Sequence, residues 1–453
     1  MKRFLAIATL ISLAACGGGS PAGGGNGMLP VPGAPGSPGK IKHIVILVQE
    51  NRSFDDLFAT FQGADGTTKG KLKTGAIIPL KKVPLYSPTF PSYVHSDFVT
   101  DFDHGNMDGF AVPPNGTYVY QYVDPAQIKP YWTLAKQYVL ADHMFMTQGS
   151  ASFTAHQDLI RGGSRLDANR TLVDVPSDGS GGAWGCDAPA GTYTFFLTNA
   201  GQEESTGPFP CFGKTYTTLR DTLDAKNVSW KYYVPGKINS NFDANIWNAF
   251  DSIKAVRRGA EWGTKVVWPS TTLVFNDISK GQLPAVSWVI PDACNSDHPG
   301  NFSSECGGAH DTGPSWVASI VNAIGKSKYW DSTAIVVVWD DWGGFYDHVP
   351  PPQTGSQAQV GGPGFRVPMI VVSAYAKQGV VSHQVYGFGS IVRFVEDTFG
   401  LASLNTTDAI SRDFAIDAFN FNQKPRTFTP ITAKYSQSFF EHQAPSGLPV
   451  DTE

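Results

Sequence analysis

Short apolar runs rich in β-branched residues recur along the chain and alternate with segments of helical periodicity. The apolar runs cover residues 43–48, 285–290, 334–339 and 367–372. Runs of this kind predict strands that are buried on both faces, as in a parallel sheet covered by helices. Helices are predicted at residues 131–140, 217–226, 316–324 and 390–399. The alternation of the two patterns favours an α/β sandwich.

The composition predicts long loops and argues against nucleic acid as a partner. Charged residues make up 16% of the 453 residues, below the roughly 25% typical of soluble proteins. The 48 glycines and 32 prolines predict long, structured loop insertions. A net charge of −5 and the absence of a long basic run argue against nucleic acid as a partner.

The N-terminus has the features of an export signal. A basic start is followed by a short apolar stretch that ends in Leu-Ala-Ala before Cys16. This resembles a bacterial lipoprotein signal peptide over residues 1–16, with Cys16 as the lipidated residue; an ordinary signal peptide with an incidental cysteine is the alternative. Gly17 then favours transfer to the outer membrane. We expect an exported protein, held by a lipid anchor on the periplasmic side of the envelope.

Residues 17–39 are rich in glycine, proline and serine and nearly uncharged, so we interpret them as a flexible tether. No later segment resembles this tether. Residues 40–453 are therefore interpreted as one catalytic domain, with an irregular, proline-containing tail from Lys424.

Four further cysteines are candidates for disulfide bonds, because an exported protein enters an oxidising compartment. Four cysteines allow three pairings, of which the local pairs Cys186–Cys211 and Cys294–Cys306 are the simplest, since each closes a short loop. A zinc site made by all four is the alternative, but no C-x-x-C spacing is present.

Acidic and amide side chains follow two of the predicted strands directly. Glu50 and Asn51 come after the first strand, and Asp340 and Asp341 come after the third. The carboxyl ends of strands are where α/β sheets place functional groups. Adjacent carboxylates there need a cation, a basic side chain or water, and exposed turns or helix caps are the alternative. Two such segments favour one shared metal site whose oxygen ligands suit Mg²⁺, Ca²⁺ or Mn²⁺.

Four blocks of the sequence resemble a known enzyme family. They are IVILVQENRSFD at 44–55, GNMDGF at 105–110, GSASFT at 149–154 and WDDWGGFYDHVPP at 339–351. In this order they resemble the phosphoesterase family that contains bacterial phospholipases C and a group of acid phosphatases. The resemblance implies an alkaline-phosphatase-like, three-layer α/β/α fold with a mostly parallel central sheet. It also implies metal-assisted hydrolysis of phosphate esters through a phosphoserine.

The resemblance also implies roles for individual residues. Glu50 and Asn51 match the first metal and phosphate contacts of the family, and Asp340 and Asp341 match its second pair of metal ligands. Ser152 matches the serine or threonine nucleophile, which is also a metal ligand. One divalent ion is implied. Asn51 is further expected to donate to a phosphoryl oxygen as charge develops there.

The segment around the nucleophile departs from the family pattern. Ala151 and Thr154 stand where family members often have proline, so Ser150 is an alternative nucleophile. A helix is expected to begin near Thr154, and a serine at its N-terminus would place backbone N–H groups near a phosphate. The alternative for Ser152 is an ordinary helix cap.

Histidines are candidates for binding phosphoryl oxygens and protonating the leaving alkoxide near neutral pH. His95 and His298 resemble phosphate-contacting histidines of the family. His104 lies close to His95 in sequence and is an alternative match. His348 belongs to the C-terminal block but is equally a hydrogen-bond partner for Asp347 or a loop carbonyl, and His310 is a weaker candidate.

The chain ends soon after the C-terminal block, whereas phospholipases C of this family usually carry further modules. On that basis the sequence favours an acid-phosphatase-like enzyme acting on phosphomonoesters. The alternative within the family is a phospholipase C that cleaves phosphatidylcholine-type phosphodiesters. An alternative of another class is a lipid-anchored protein that binds phosphate or metal without turnover. A sulfatase is disfavoured because no Cys/Ser-x-Pro-x-Arg segment is present.

Overall fold

The computed structural model describes residues 39–86, 90–177, 185–236, 245–300, 306, 311–352 and 361–446. Its strands are β1 (His43–Gln49), β2 (Lys69–Lys71), β3 (Ile77–Pro79), β4 (Lys81–Val83), β5 (Gln121–Val123), β6 (Val139–Ala141), β7 (Met144–Phe145), β8 (Arg170–Ser177), β9 (Tyr193–Thr198), β10 (Glu203–Glu204), β11 (Trp230–Tyr233), β12 (Val266–Val267), β13 (Val286–Val289), β14 (Thr333–Trp339), β15 (Met369–Ser373), β16 (Val380–Ser382) and β17 (Tyr386–Gly387). Its helices are α1 (Phe54–Phe58), α2 (His95–Phe102), α3 (Lys129–Gln137), α4 (Ser152–Arg161), α5 (Leu219–Ala225), α6 (Lys254–Arg257), α7 (Ser270–Lys280), α8 (Gly313–Gly325), α9 (Phe388–Phe399), α10 (Ala415–Ala418) and α11 (Gln437–His442).

An eight-stranded sheet forms the centre, in the order β12-β11-β13-β1-β14-β15-β6-β16. β1 pairs in parallel with β13 on one side and β14 on the other, and β11 extends the parallel set to β12. β15 is antiparallel to both β14 and β6, and β16 is parallel to β6. Seven strands of this sheet therefore point one way and β15 points the other, which confirms the predicted mostly parallel sheet.

Both faces of the sheet are covered. Six of the seven residues of β1 and all seven of β14 are buried. Because successive side chains of a strand point to opposite faces, other layers must cover the sheet on each side. Helices α3, α7 and α11 all contact α8, while α4 contacts α5 and α9, so the helices form two groups. This arrangement confirms the predicted α/β/α class.

Three segments differ from the sequence-based prediction. β15 was expected to be parallel; its residues are all buried, so its apolar run has the same composition as a parallel strand. The helix predicted at 131–140 ends at Gln137, and its last apolar residues form β6 instead. The tail, predicted to be irregular, contains α11, which contacts α7 and α8.

Both predicted local disulfides are confirmed. Cys186 is bonded to Cys211 and Cys294 is bonded to Cys306, with Cα atoms 4.5 and 5.5 Å apart. Because all four sulfur atoms are used in these bonds, the alternative four-cysteine zinc site is excluded.

The N-terminal signal, Cys16 and nearly all of the tether lie outside the described residues, so these assignments stay predictions. None of the helices in the described ranges combines the length and the apolar character that a membrane crossing requires.

Candidate functional site

The two predicted acidic segments meet at the carboxyl ends of neighbouring strands. Gln49 at the end of β1 lies beside Trp339 at the end of β14. The backbone N–H of Asp340 donates to the carbonyl oxygen of Gln49 at 2.9 Å, which continues the pairing by one residue. On the other side of β1, the N–H of Glu50 donates to the carbonyl oxygen of Ser296 at 2.7 Å. The parallel register therefore brings residues 290 positions apart into one group.

Asn51 turns the chain sharply at this point. Its φ of +57° lies in the left-handed region, where asparagine is among the better tolerated residues. The turn directs its N–H to Asp340 Oδ1 at 3.0 Å. Gly343 packs against the same turn, and a Cβ atom on Gly343 would lie 2.2 Å from the carbonyl oxygen of Asn51. The N–H of Gly343 donates to Asp341 Oδ1 at 2.7 Å within the second segment. The bond from Asn51 to Asp340 and the packing of Gly343 on Asn51 join the two segments.

Ser152 lies at the first position of α4 with Ala151 as the cap residue, so the hydroxyl does not cap its own helix. Its Oγ donates to Asp341 Oδ2 at 2.9 Å. The Asn51 amide Nδ2 lies 3.3 Å from the same carboxylate oxygen and 3.4 Å from Ser152 Oγ. All three side chains are fully buried. The structure therefore brings the predicted nucleophile to the predicted metal ligands.

Ser150, the alternative nucleophile, occupies a different environment. Its Oγ donates to Asp174 Oδ1 at 3.2 Å and accepts from the N–H of Asp174 at 2.7 Å. Burial raises the pKa of Asp174 to about 6. The Ser150 hydroxyl thus links the loop before α4 to β8. This geometry favours Ser152 over Ser150 as the nucleophile.

His156 joins the site and was missed as a candidate by the sequence analysis. Its Nε2 lies 3.1 Å from Glu50 Oε1 and 3.8 Å from Asp340 Oδ2, and all three side chains are fully buried. His156 follows Ser152 by four residues on α4, and residues at that spacing lie on the same face of a helix. That spacing is the sequence signal that would have identified it.

We call Glu50, His156 and Asp340 the strand-end group; one ligand atom from each lies within 4.8 Å of the others. Asp340 Oδ2 is buried and has no hydrogen-bond partner among the described residues. A buried carboxylate oxygen in this position is costly unless a cation lies beside it. The residues present therefore fit a divalent metal ion, with Asp341, Asn51 and Ser152 next to it.

The two histidines predicted to contact phosphate are both buried, but among the described residues neither directly contacts the strand-end group. His95, at the start of α2, is buried, and its Nδ1 lies 2.6 Å from the carbonyl oxygen of Gly149, three residues before Ser152. Burial lowers the pKa of His95, although the hydrogen bond to Gly149 opposes this shift. The ring of His298 lies 5.9 Å from that of Trp247, and the Trp247 ring in turn lies 6.4 Å from that of His156.

The remaining histidine candidates lie elsewhere. His104 is exposed, on the turn that follows α2. His310 lies outside the described residues. His348 Nδ1 lies 2.7 Å from Asp55 Oδ2, and its Nε2 lies 3.2 Å from Asp65 Oδ1. Its ring thus contacts carboxylates, but those of Asp55 and Asp65 rather than the expected Asp347.

His348 belongs to a second acidic cluster built from the same two sequence blocks. We call Asp55, Asp347, His348 and Arg366 the arginine cluster. Arg366 Nε donates to Asp347 Oδ1 at 2.8 Å, and its Nη2 lies 3.5 Å from Asp55 Oδ1. The two carboxylates and the guanidinium are fully buried. Burial raises the pKa of Asp55, and the charge of Asp347 raises it further.

Comparison with known proteins assigns the family. A model described as the phosphoesterase family matches residues 41–402. The chain belongs to the phosphoesterase family. It is 27% identical over 463 residues to a non-hemolytic phospholipase C of Pseudomonas aeruginosa, covering 87% of this chain and 60% of that protein. It is 25% identical over 457 residues to phospholipase C A of Mycobacterium tuberculosis, covering 87% and 80% of the two chains.

Among solved structures, a protein of the alkaline phosphatase superfamily from Vibrio parahaemolyticus aligns over 84% of this chain and 71% of that chain. The TM-score is 0.39 and the identity is 16%, so the fold assignment rests on the sheet described above. Family membership confirms the resemblance carried by the four sequence blocks. It agrees with the predicted class of hydrolase acting on phosphoester bonds and with a metal requirement.

Proposed function

We propose that this protein is a metal-dependent phosphoric ester hydrolase that acts through a phosphoserine at Ser152. The observation that carries the proposal is the hydrogen bond from Ser152 Oγ to Asp341 Oδ2, at the N-terminus of α4 and next to the buried strand-end group. A nucleophile, an acceptor for its proton and a place for a cation are thus adjacent.

Charge explains why a cation is needed. A phosphate ester is an anion, and Asp341, which accepts from the nucleophile, lies next to two further buried carboxylates, those of Asp340 and Glu50. A bound divalent ion supplies the positive charge that attracts the ester and lowers the pKa of the attacking hydroxyl. The chain itself adds the free N–H groups of the first turn of α4, which suit a phosphoryl oxygen.

The bonds exchanged follow from this placement. Ser152 Oγ forms a bond to phosphorus while the bond from phosphorus to the alcohol oxygen breaks. Asp341 Oδ2 is placed to accept the serine proton, and the leaving oxygen takes up a proton from a nearby acid, for which His95 and His298 are the candidates. Water then attacks the phosphoserine, which releases phosphate or a phosphomonoester and restores the serine.

The substrate class is the finer part of the proposal. Similarity to proteins named phospholipase C favours a phosphodiester of the phospholipid type. The chain aligns with 60% and 63% of the length of two of these relatives, so their substrates carry over only as a proposal. Acid-phosphatase-like cleavage of phosphomonoesters is the alternative.

The test compares Ser152→Ala with Ser150→Ala on p-nitrophenyl phosphate and p-nitrophenylphosphorylcholine in the presence of a divalent metal. We expect Ser152→Ala to lower kcat by at least about 10³-fold, as for other covalent nucleophiles. Ser150→Ala should keep kcat within about ten-fold, since its hydroxyl serves Asp174. Full turnover by Ser152→Ala would refute the mechanism.

The same assay separates the substrate classes. Faster hydrolysis of the phosphorylcholine diester supports the phospholipase C assignment, and faster hydrolysis of the monoester supports the acid phosphatase. Tight binding of phosphate with no turnover of either ester would instead support a binding protein.

Lipid anchorage at Cys16 is part of the same proposal and rests on the signal-like sequence of residues 1–16. Cys16→Ser is expected to move the protein from the membrane fraction to the soluble fraction after cell lysis. Equal membrane association of both forms would refute a lipid anchor at this residue.

A further inference from the structure

The contacts around His156 suit a proton on one particular ring nitrogen. The Tyr232 hydroxyl donates its one proton to the carbonyl oxygen of Trp247 at 2.8 Å. The same hydroxyl oxygen lies 3.5 Å from His156 Nδ1. Because that proton is directed to Trp247, we assign the oxygen as an acceptor towards the ring and the ring hydrogen to Nδ1. Nε2 of the neutral imidazole then presents a lone pair.

That lone pair points at carboxylates. Nε2 lies 3.1 Å from Glu50 Oε1 and 3.8 Å from Asp340 Oδ2, in a fully buried setting. A lone pair facing two carboxylate oxygens is repulsive unless a positive charge lies between them. The candidates for that charge are a second ring proton on Nε2 and a metal ion.

The distances favour the metal ion. A proton on Nε2 would bond to Glu50, but at 3.8 Å Asp340 Oδ2 is beyond hydrogen-bond range and would stay unsatisfied. Ligand atoms about 2.1 Å from a common ion lie roughly 3.0–3.4 Å apart when they are neighbours in its coordination shell. The distance of 3.1 Å from Nε2 to Glu50 Oε1 lies within that range, and the distance of 3.8 Å from Nε2 to Asp340 Oδ2 is slightly longer. A single ion would therefore compensate all three groups together.

We propose that Nε2 of His156 is a ligand of the site's divalent ion, together with Glu50 and Asp340. This inference rests on the metal site of the proposed function and names the kind of ion it takes. An imidazole nitrogen suits Mn²⁺, Fe²⁺, Co²⁺ or Zn²⁺, whereas Mg²⁺ and Ca²⁺ prefer oxygen ligands alone. The all-oxygen set expected from the sequence is thereby replaced by a mixed set.

The surroundings of His156 match those of metal-binding histidines. Such a residue usually donates its other ring N–H to an oxygen that fixes its orientation. Tyr232 has that position here, and it is itself fixed by the carbonyl of Trp247. Because His156 and Ser152 share one face of α4, the same helix fixes the distance between the ion and the nucleophile.

The experiment uses the full chain stripped of metal and reloaded with one equivalent of Mn²⁺. Pulsed EPR is expected to show coupling of the electron spin to a directly bound ¹⁴N nucleus in the wild-type protein. The coupling should be lost in His156→Gln and kept in His442→Gln, which replaces an exposed histidine at the end of α11.

Affinities measured by calorimetry give the second readout. His156→Gln should weaken binding of Zn²⁺ by at least about 100-fold, since removing a group that only orients a ligand already costs about 10–100-fold. Binding of Mg²⁺ should change by less than about 3-fold. Tyr232→Phe should weaken Zn²⁺ binding by roughly 10-fold, because it removes the acceptor for Nδ1–H.

Two results would overturn the inference. One is the absence of ¹⁴N coupling in the Mn²⁺-loaded wild type, a measurement that does not depend on any variant folding. The other is unchanged coupling in folded His156→Gln. If either occurs while turnover still requires the metal, the proposed function survives and only the role of His156 fails. If the wild type binds no divalent ion, the metal site of the proposed function fails as well.

Discussion

The strand-end group and the arginine cluster are two answers to the same electrostatic problem. Each contains two buried carboxylates, one from the block at 44–55 and one from the block at 339–351. In the arginine cluster the chain supplies its own cation, because the Arg366 guanidinium contacts both Asp55 and Asp347. In the strand-end group, Asp340 Oδ2 has no hydrogen-bond partner in the described part of the chain.

This difference separates structural acids from functional acids within one sequence motif. A buried acid that is neutralised by an arginine holds the loops together, whereas the open oxygen of Asp340, beside Glu50 and His156, is where we propose that an external ion binds. Composition alone does not distinguish Asp340 from Asp347, since both lie in the same short block. The position of Arg366, which pairs with Asp347, distinguishes the two residues.

The largest effect is expected from removing that arginine. Arg366→Met leaves Asp55 and Asp347 buried without their cation, and breaking a buried pair of this kind costs about 3–5 kcal/mol of unfolding free energy. Denaturant unfolding with the disulfides intact measures it. The control is Arg170→Met, whose partner Asp167 lies 2.7 Å away with both side chains 40% exposed, and which should cost about 0.5 kcal/mol or less. Equal stability of the two variants would contradict the role of Arg366 as the cation that stabilises the arginine cluster.

Asp340→Asn should affect activity rather than folding. The amide oxygen still accepts the N–H groups of Asn51 and Asp341 that now bond Oδ1, but the amide nitrogen does not bind a cation. We expect kcat/KM to fall by at least about 100-fold with a normal circular dichroism spectrum. Asp347→Asn, the matched change in the arginine cluster, should retain turnover within about ten-fold while losing stability. A reversal of these two outcomes would exchange the roles of the clusters.

Metal binding should stabilise the protein through the strand-end group alone. An ion present at ten times its Kd adds about 1.4 kcal/mol to the unfolding free energy, which corresponds to a rise in Tm of roughly 2 °C for a domain of this size. Differential scanning fluorimetry with and without Zn²⁺ measures this rise. The shift should disappear in Asp340→Asn and persist in Asp347→Asn. A shift of equal size in both variants would place the ion elsewhere.

The sequence predicted the acidic and amide residues at the strand ends, but not the histidine and the arginine that lie beside buried acids. Strand ends and family blocks were enough to bring together Glu50, Asn51, Asp340 and Asp341, because parallel pairing of β1 with β14 aligns their ends. His156 was missed because any one of ten histidines is structural by default, and its partners come from strands more than a hundred residues away.

Arg366 was missed for a related reason. It lies 19 residues after Asp347, just before β15, and nothing in its local sequence indicates that its side chain is buried between two carboxylates. The antiparallel direction of β15 was equally hidden, since burial on both faces gives the same apolar run in either orientation. Local patterns predict which segments are buried, and the direction and partners of those segments depend on the tertiary structure.

The smallest effect concerns His348 and its pH dependence. Burial lowers the pKa of His348, but the hydrogen bond to Asp55 and the charges of Asp55 and Asp347 outweigh it and raise the pKa above 6.5. A raised histidine pKa stabilises the fold below the unfolded value near 6.5, and this contribution is lost as the pH rises through the folded value. His348→Gln should therefore lower Tm below about pH 6.5, with the gap closing towards alkaline pH. A gap that widened as the pH rose would show that the imidazole is bound in its neutral form, which would make it a candidate metal ligand instead of a charged partner of the two acids.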